Sequence, residues 1–502
     1  MATEHLHAAP RPPLHRDPRE VPAPLLRNNP QLDMTLTNER PIFSAVNPSG
    51  LRGEFTMTFE ISADPAFPRE TTTVYEGIKP LDRFNTCKQI EPGHELADGT
   101  YYWRARLVAE DGEHSAWVMT RFHVNVAGSR TFAGFLRAPV AAISVSGGED
   151  AESIIEWSDL GLLSTWNSEP PAEGEEFSWV VFDMGRPTPV TRFWMLSTPS
   201  TVPASGWLKD FHFQSSNDGK EWTDIPGTSV EGNNTYTNTI DFKPVDARYY
   251  RLCIRDQHGL QALLNMVIPY VRGEAPVPEV PDGDYVLLVG NQMNGFTYTQ
   301  LGKFVEECRY PVVTVPHHQM SLGVLQGLRN APLAVIFSGN NADWQYVPMF
   351  EYYGEFEVYR ENADIPMLGI CAGNEFYAMA YGMSFAYWMG WFDDSIFHLD
   401  QGQTPDKVEI VPAHADDPIF EGISSPFRAV EIHSWAIHPF FLQDPRHQEF
   451  VLIAAGSYVQ CIKSTRRLAY SCQFHPAVVD DYNESGDYLR NFLALARQHR
   501  ES

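Results

Sequence analysis

The chain has 502 residues, and its 64 acidic residues outnumber its 37 lysines and arginines, which gives a formal charge of −27 at pH 7. At roughly 150 residues per domain, this length predicts about three domains. The hydrophobic fraction of 43% and the charged fraction of 20% are those of a folded globular chain. Because excess negative charge repels nucleic-acid phosphates and anionic lipid headgroups, neither nucleic acid nor a membrane surface is an expected partner.

Residues 1–30 are rich in proline and poor in apolar anchors, so we expect a flexible or surface-wrapped extension there. They lack the apolar stretch of a secretory signal, and no run in the chain approaches the ~20 apolar residues of a membrane span. The six cysteines show neither paired spacing nor a C-x-x-C motif. This pattern predicts reduced thiols, no metal site and a cytoplasmic location.

Residues 31–127 have the pattern of an all-β domain. Apolar and polar residues alternate between Phe55 and Ile61, and again from Tyr101 to Leu107 after an Asp98-Gly99 turn. The stretch LADGTYYWRARLVAEDGEHSAW resembles the last strands of a fibronectin type III sandwich. The resemblance implies a β-sandwich, with Trp103 in its core.

Residues 135–272 contain four motifs in a fixed order, and together they resemble a discoidin (coagulation factor 5/8 type C) domain. The family fold is a jelly-roll whose loops at one end bind sugars, lipids or proteins, which makes a glycan the expected partner and Trp207 its candidate contact. Family members often carry a structural calcium near the loop that holds Asp159. Residues 158–161 depart from the family pattern there, so no metal is expected. The four motifs lie at residues 164–166, 179–185, 213–222 and 247–252.

Residues 273–283 form a proline-rich linker, after which the pattern changes to alternating strands and helices. The apolar run at residues 285–290 is typical of a parallel strand buried on both faces. Further apolar strands follow at residues 311–315, 333–337 and 366–370, separated by helical stretches. Residues 284–500 are therefore predicted to form a doubly wound α/β domain.

A nucleophile motif follows the strand at residues 366–370. Gly369-x-Cys371-x-Gly373 at a strand–turn–helix junction is the cysteine counterpart of the nucleophile elbow. The small neighbours permit a tight turn, and the helix N-terminus is expected to lower the pKa of the Cys371 thiol. His475 ends a later strand in the sequence Q-F-H-P, about a hundred residues on. A cysteine followed by a histidine on this fold supplies a nucleophile and a general base.

The whole of this segment resembles the class I glutamine amidotransferases and their relatives, the γ-glutamyl hydrolases. The resemblance implies that Cys371 attacks a γ-carboxamide or γ-peptide carbonyl and that His475 relays the proton. Backbone N–H groups at Gly339 and Ala372 would then stabilise the oxyanion. The resemblance also places three side chains at the substrate, those of Asn340, Glu375 and His433. A structural hydrogen-bonding role fits His433 equally well.

Two positions depart from the family pattern. The family usually reads H-P-E, with the glutamate orienting the histidine, but Ala477 stands at that place. Asp480 is the candidate replacement, with Asp481 and Glu484 as alternatives. Glu375 replaces a usual glutamine, which resembles the γ-glutamyl hydrolases more than the synthetase-coupled glutaminases. A glutamate in the first turn of a helix can equally serve the helix dipole alone.

Three functions remain open on these residues. The first is a cysteine amidohydrolase that cleaves a small-molecule γ-glutamyl or related carboxamide bond through a thioester, without a cofactor. The second is a glycan-binding protein whose amidotransferase-like domain is silent, and the third is a glutaminase subunit that supplies ammonia to a partner chain. His317-His318 is interpreted as a solvent-facing loop and His438 as structural. No oligomeric state is predicted.

Overall fold

The structure is a computed structural model of the full chain. It describes residues 21–29, 34–48, 53–81, 85–155, 165–171, 174–197, 205–297, 299–340, 347–382, 404–433, 435–456 and 458–502. None of the helices in these ranges is long and apolar enough to cross a membrane.

The N-terminal domain is a sandwich of two β-sheets. One sheet has the strand order β1-β3-β6 and the other β2-β8-β7-β4-β5. Phe43 of the first sheet meets Trp103 and Phe122 of the second at centroid distances of 5.1 and 5.5 Å, and Trp103 is fully buried as predicted. The likeness to fibronectin type III stays a prediction. The strands are β1 (Leu25–Asn29), β2 (Met34–Leu36), β3 (Ile42–Val46), β4 (Phe55–Ser62), β5 (Thr73–Ile78), β6 (Asn85–Gln89), β7 (Gly99–Ala109) and β8 (Val118–Val124).

At its C-terminal end the expected extension is not flexible, because it forms an edge strand of the first sheet. Strand β1 pairs antiparallel with β3, and Leu26 packs on the hydrophobic core. An edge strand can form here because β3 offers unpaired backbone groups, which the proline count of the segment does not reveal. Residues 1–20 lie outside the described part of the chain.

The second domain is all β as well. Its main sheet has the order β15-β14-β16-β12-β18-β9, with β10 also paired to β12, and a small sheet has the order β11-β17-β13. The strands are β9 (Phe135–Arg137), β10 (Ala142–Val145), β11 (Trp166–Asn167), β12 (Ser178–Leu196), β13 (Ser205–Gly206), β14 (Leu208–Ser216), β15 (Thr223–Asp224), β16 (Thr237–Gln257), β17 (Gln261–Leu264) and β18 (Met266–Arg272).

The C-terminal domain is built on one mixed sheet with the order β20-β19-β21-β22-β27-β26-β25-β23-β24. The pairs from β20 to β27 are parallel, and the pairs from β27 to β24 are antiparallel. The strands are β19 (Val286–Gly290), β20 (Val312–Pro316), β21 (Ala334–Phe337), β22 (Met367–Ile370), β23 (Thr404–Ile410), β24 (Phe427–Glu431), β25 (Phe450–Ala455), β26 (Val459–Ser464) and β27 (Ala469–Cys472). The helices are α1 (Thr299–Glu307), α2 (Leu322–Gly327), α3 (Tyr353–Glu361), α4 (Ala372–Ala380), α5 (Pro439–Gln443) and α6 (Gly486–Glu501).

Both faces of this sheet are covered, as the continuous apolar run of β19 predicts. Leu287 and Val289 face one hydrophobic cluster with α3 and α4, whereas Val286 and Leu288 face another with α1 and α6. Alternate residues of one strand therefore enter two cores. The antiparallel half of the sheet is a feature that the strand–helix pattern does not predict, because β25, β26 and β27 follow one another through short turns with no helix between them.

The three domains share one hydrophobic cluster. It joins Trp103 of the first domain, Trp194 and Tyr270 of the second, and Leu287 and Tyr352 of the third. Val280 of the linker is also buried in this cluster. The β-domains are thus packed on the α/β domain, so their side chains can act on its active-site loops.

Candidate active site

Cys371 stands at a strained turn between β22 and α4. Its backbone has φ 55° and ψ −108°, an unusual conformation for a residue other than glycine. The turn needs its glycines because a Cβ on Gly369 would lie 2.4 Å from the Gly373 carbonyl oxygen, and one on Gly373 would lie 2.4 Å from the Phe337 oxygen. Glycine at both positions avoids these clashes. The chain can therefore make the tight turn that sets the direction of the Cys371 side chain, and this turn is the predicted elbow.

The Cys371 sulfur is buried among both donors and negative charges. Its thiol donates to the Ile432 carbonyl at 3.8 Å, and the backbone N–H groups of Ala372 and Asn340 hydrogen-bond to the sulfur. Burial, reinforced by the charge of Glu375, raises the pKa of the thiol well above its ordinary value. The expectation that the helix end favours a thiolate is therefore wrong in the resting state, because desolvation outweighs the dipole.

His475 lies at the same carbonyl as the nucleophile. Its ring is buried and hydrogen-bonds to the backbone of Ile432, which also accepts from Cys371. Burial and the neighbouring positive charge of His433 lower the pKa of His475 to about 4. At neutral pH the pair therefore consists of a protonated thiol and a neutral imidazole, which can accept the thiol proton.

Glu431 and His433 form a buried ion pair beside this pair. His433 Nε2 donates to Glu431 Oε2 at 3.0 Å, and Nδ1 donates to the Trp435 carbonyl at 2.6 Å. Both ring nitrogens are donors, which requires the doubly protonated ring. Burial alone would lower the pKa of His433, but the charge and hydrogen bond of Glu431 outweigh it and raise the pKa. Gln460 donates to the second oxygen of Glu431.

Sequence reasoning missed Glu431, although a signal was available. Glu431 and His433 are two residues apart at the end of β24, a spacing that places both side chains on one face of an extended segment. The charge of Glu431 favours the protonated form of His475. Asp480, the predicted third member, instead accepts from the Tyr482 N–H at 2.8 Å in a part-exposed turn. Ala477 offers no carboxylate to His475, and the negative charge that acts on His475 comes from Glu431 on a different strand.

Glu375 belongs to an amide network behind the nucleophile. Gln473 donates to Glu375 Oε1 at 3.0 Å, and Asn374 donates to Gln473 Oε1 at 2.8 Å. Ser471 donates to Asn374 Oδ1 at 2.6 Å. This network ties the first turn of α4 to β27, the strand that leads to His475.

The loop that supplies the second N–H is clamped from two sides. The Asn291 side chain donates to the Ser338 carbonyl at 2.9 Å, and its backbone N–H donates to Ser338 Oγ at 3.0 Å. The Asn340 side-chain amide donates to the Tyr352 hydroxyl at 2.9 Å. A backbone hydrogen bond of Asn340 acts on Cys371 and lowers the pKa of its thiol, while the oxyanion role of Gly339, the preceding residue of the same loop, stays a prediction.

The three histidines interpreted from the sequence as lying outside the active site, His317, His318 and His438, are buried. His317 and His318 are 0% and 8% exposed, so the prediction of a solvent-facing loop is wrong, and both lie against the second domain's Arg137. The pattern could not reveal this because the covering surface comes from another domain. His438 caps α5 by accepting from the Phe440 N–H at 3.2 Å, as its structural interpretation predicts.

The sequence singles out two residues of the second domain, Asp159 near the family's calcium position and Trp207 as a candidate glycan contact. The loop with Asp159 lies outside the described residues. Within the described ranges, no group of three or more His, Cys, Asp or Glu side chains is arranged to hold a metal ion. Trp207 is half-buried, with its ring stacked on His258 at 4.6 Å and edge-on to Tyr236 at 4.9 Å.

A buried cysteine on a strained elbow, a neutral histidine and two backbone N–H groups define an enzyme domain of the cysteine-nucleophile class. Residues 293–495 match the family glutamine amidotransferase class-I, and residues 139–266 match the F5/8 type C domain. The chain thus contains a class-I glutamine amidotransferase domain, which acts on amide C–N bonds, joined to an F5/8 type C domain.

Curated relatives match the C-terminal part of the chain. The glutamine-hydrolyzing GMP synthase subunit of Methanobrevibacter smithii is 26% identical over 194 residues, which are 38% of this chain and 86% of the relative. The corresponding protein of Thermoplasma acidophilum is 30% identical over 30% of this chain and 65% of its own length. Anthranilate synthase component 2 of Methanothermobacter thermautotrophicus is 26% identical over 28% of this chain and 62% of its own length.

Solved structures resemble the two recognised domains separately. A GMP synthase subunit from Thermoplasma acidophilum covers 44% of this chain and 98% of its own, with 23% identity and a TM-score of 0.33. Chitosan-binding module 1 of a Paenibacillus chitosanase/glucanase covers 27% of this chain and 97% of its own, with 19% identity and a TM-score of 0.22.

Proposed function

We propose that the C-terminal domain hydrolyses the γ-carboxamide of glutamine or a related γ-glutamyl amide through a thioester on Cys371. The observation that carries the proposal is the hydrogen bonding around the Cys371 sulfur. The Ile432 carbonyl accepts from both Cys371 and His475, and two backbone N–H groups face the sulfur. The glutamine-hydrolyzing relatives support glutamine as the first substrate to test.

The reaction follows from the protonation states at neutral pH. As the sulfur bonds to the carbonyl carbon, its proton passes to the neutral His475 ring. The oxyanion then lies against the N–H groups of Asn340 and Ala372, each worth about 3 kcal/mol in comparable sites. His475 returns the proton to the leaving nitrogen as the C–N bond breaks. Water attacks the thioester with His475 again as the base, and the thiol and a carboxylic acid are released.

The test is the mass of the intact protein after incubation with a glutamine-like chloroketone. One adduct is expected on the wild type and on Cys308→Ala, which removes a more exposed thiol, but none on Cys371→Ala. Absence of labelling on Cys371 in the folded protein, with a generic thiol probe equally unreactive, would favour the silent-domain alternative. Ammonia release from glutamine without any added chain separates an autonomous hydrolase from a subunit that needs a partner.

We also propose that the F5/8 type C domain binds a glycan near Trp207. The support is an indole ring that is part-exposed and fixed by His258 and Tyr236, a rigid surface of the kind on which sugar rings stack. Calorimetry with chitosan and uronate oligosaccharides tests it. Binding should be lost in Trp207→Ala and kept in Trp222→Ala, whose indole lies against Arg251 instead. Equal binding by both variants would contradict the assignment.

A further inference from the structure

The contact between the F5/8 type C domain and the catalytic domain contains a buried ion pair. Arg137 of β9 donates from Nε to Glu351 Oε1 at 2.7 Å and from Nη2 to Oε2 at 2.5 Å. Its third nitrogen donates to the Met293 carbonyl at 2.6 Å. The two side chains are 12% and 0% exposed. An arginine fork of this kind fixes both the distance and the angle between the two domains.

Further groups complete the pair from both domains. Tyr270 of β18 donates to Glu351 Oε1 at 2.7 Å, and His317 Nε2 lies 3.0 Å from Oε2. Burial alone would raise the pKa of Glu351, but the charge and hydrogen bonds of Arg137, together with His317, hold it below its ordinary value. The catalytic domain therefore keeps a charged carboxylate in its interior, and its main counter-charge comes from the neighbouring domain.

A single aromatic ring, that of Tyr352, lies between this cluster and the loop at the nucleophile. The His317 ring stacks on Tyr352 at 4.3 Å with an interplanar angle of 7°, and Tyr352 directly follows Glu351 in the chain. The Tyr352 hydroxyl accepts from the Asn340 side chain at 2.9 Å and donates to the Asn291 carbonyl at 3.2 Å. Tyr352 also stacks on Phe376 of α4 at 4.5 Å.

We propose that Arg137 is a positioning residue for the cysteine site: through Glu351 and Tyr352 it holds Asn340 so that the Asn340 N–H faces Cys371. The proposal rests on the proposed function only for the use of that N–H as an oxyanion donor. In this arrangement the F5/8 type C domain is a structural part of the active site as well as a binding module. A supporting shell of this type decides whether a donor stands at the reacting atom or misses it.

The variants are chosen so that the protein still folds. Arg137→Met alone leaves the Glu351 charge buried and unpaired, whereas Arg137→Met with Glu351→Gln removes both charges. Arg137→Lys keeps the charge but loses the fork. The matched control is Arg446→Gln, which breaks an ion pair with Glu39 of the N-terminal domain at 2.5 Å together with the contact of Arg446 to the buried Asp444 at 2.7 Å. No contact links that control pair to Asn340 within the described residues.

Two measurements report on Asn340. Hydrogen exchange follows the peptide that contains Gly339 and Asn340 and needs no turnover. The pH dependence of Cys371 alkylation by iodoacetamide, resolved by peptide mass, gives the thiol pKa. In the double variant we expect about tenfold faster exchange in that peptide and about tenfold slower alkylation at pH 7, the equivalent of one pKa unit. Arg137→Lys should lie between, and the control should match the wild type.

Unchanged exchange and unchanged alkylation in a folded double variant would overturn the proposal. If the double variant does not fold, Arg137→Lys decides the question by the same two measurements. Failure of the proposed function gives a different result, because the wild type would then form no chloroketone adduct. The hydrogen-exchange result at Asn340 does not depend on that adduct and tests the role of Arg137 separately.

Discussion

Lowering the pH toward 4 should inactivate the site by protonating His475, and the structure gives the size of the effect. Burial and the charge of His433 lower the pKa of His475 from an ordinary 6.5 to about 4. At about 1.36 kcal/mol per pH unit, this difference of about 2.5 units corresponds to about 3.4 kcal/mol in favour of the neutral ring. Above pH 5 the neutral ring dominates, so the acid limb of reactivity should fall near pH 4.

The lowered pKa of His475 also makes the free energy of unfolding depend on pH. In the unfolded chain the ring takes up a proton near pH 6.5, while in the folded chain it stays neutral to about pH 4. The contribution to stability is therefore complete above pH 6.5 and is lost as the pH falls toward 4. Between pH 7.5 and pH 4.5, the wild type should lose about 2.5 kcal/mol more than His475→Gln, which cannot titrate at this position.

Two assays check the argument. Cys371 alkylation, or kcat/KM with an amide substrate, is measured from pH 4 to pH 8, and urea unfolding of the wild type and His475→Gln is measured over the same range. Other buried histidines, such as His438, are present in both proteins and cancel in the difference. An acid limb centred near pH 6.5, or stability curves that stay parallel for the two proteins, would refute the reasoning about burial.

Two further predictions concern the elbow and its charges. Glu375→Gln removes a negative charge that raises the Cys371 pKa, so alkylation at pH 7 should become about three- to tenfold faster, whereas Asp480→Asn should leave the rate unchanged. A shift of equal size in both variants would show a general charge effect instead. Gly369→Ala places a Cβ 2.4 Å from a backbone oxygen of α4 and should cost about 2–3 kcal/mol in chemical denaturation. The control is Gly302→Ala in α1, whose added Cβ would lie 3.9 Å from the Leu288 side chain of β19. This variant should stabilise the protein by about 0.5–1 kcal/mol, and a destabilised control would contradict the packing argument.

Local sterics made the elbow predictable. The positive φ of Cys371 and the close approach of Gly369 to the Gly373 carbonyl lie within five consecutive residues, so the sequence pattern contains them, whereas Gly373 approaches Phe337 of β21. The buried strand β19 was predictable for a similar reason, since a short run of apolar residues is typical of a strand covered on both faces. His475 was found from its place at the end of a strand, after Q-F.

The charges of the site could not be predicted in this way. The resting Cys371 is a thiol because burial and two carboxylates act on it together, and one of them, Glu431, arrives from a strand 60 residues further along. The family position that reads Ala477 suggested a replacement close in sequence, but the carboxylate that acts on His475 stands on β24. Coulomb energies depend on distance in space and on desolvation, and neither follows from spacing along the chain.

The sequence by itself thus indicated the order of the domains and the histidine through motifs that resemble known families, and it determined the nucleophile turn because that turn depends on short-range backbone geometry. The tertiary structure alone decided which N–H faces the sulfur, which carboxylate balances the histidines, and that His317 is covered by Arg137 of another domain. The physical reason is that burial is a property of the assembled molecule: a side chain is desolvated only when elements far apart in the chain close over it.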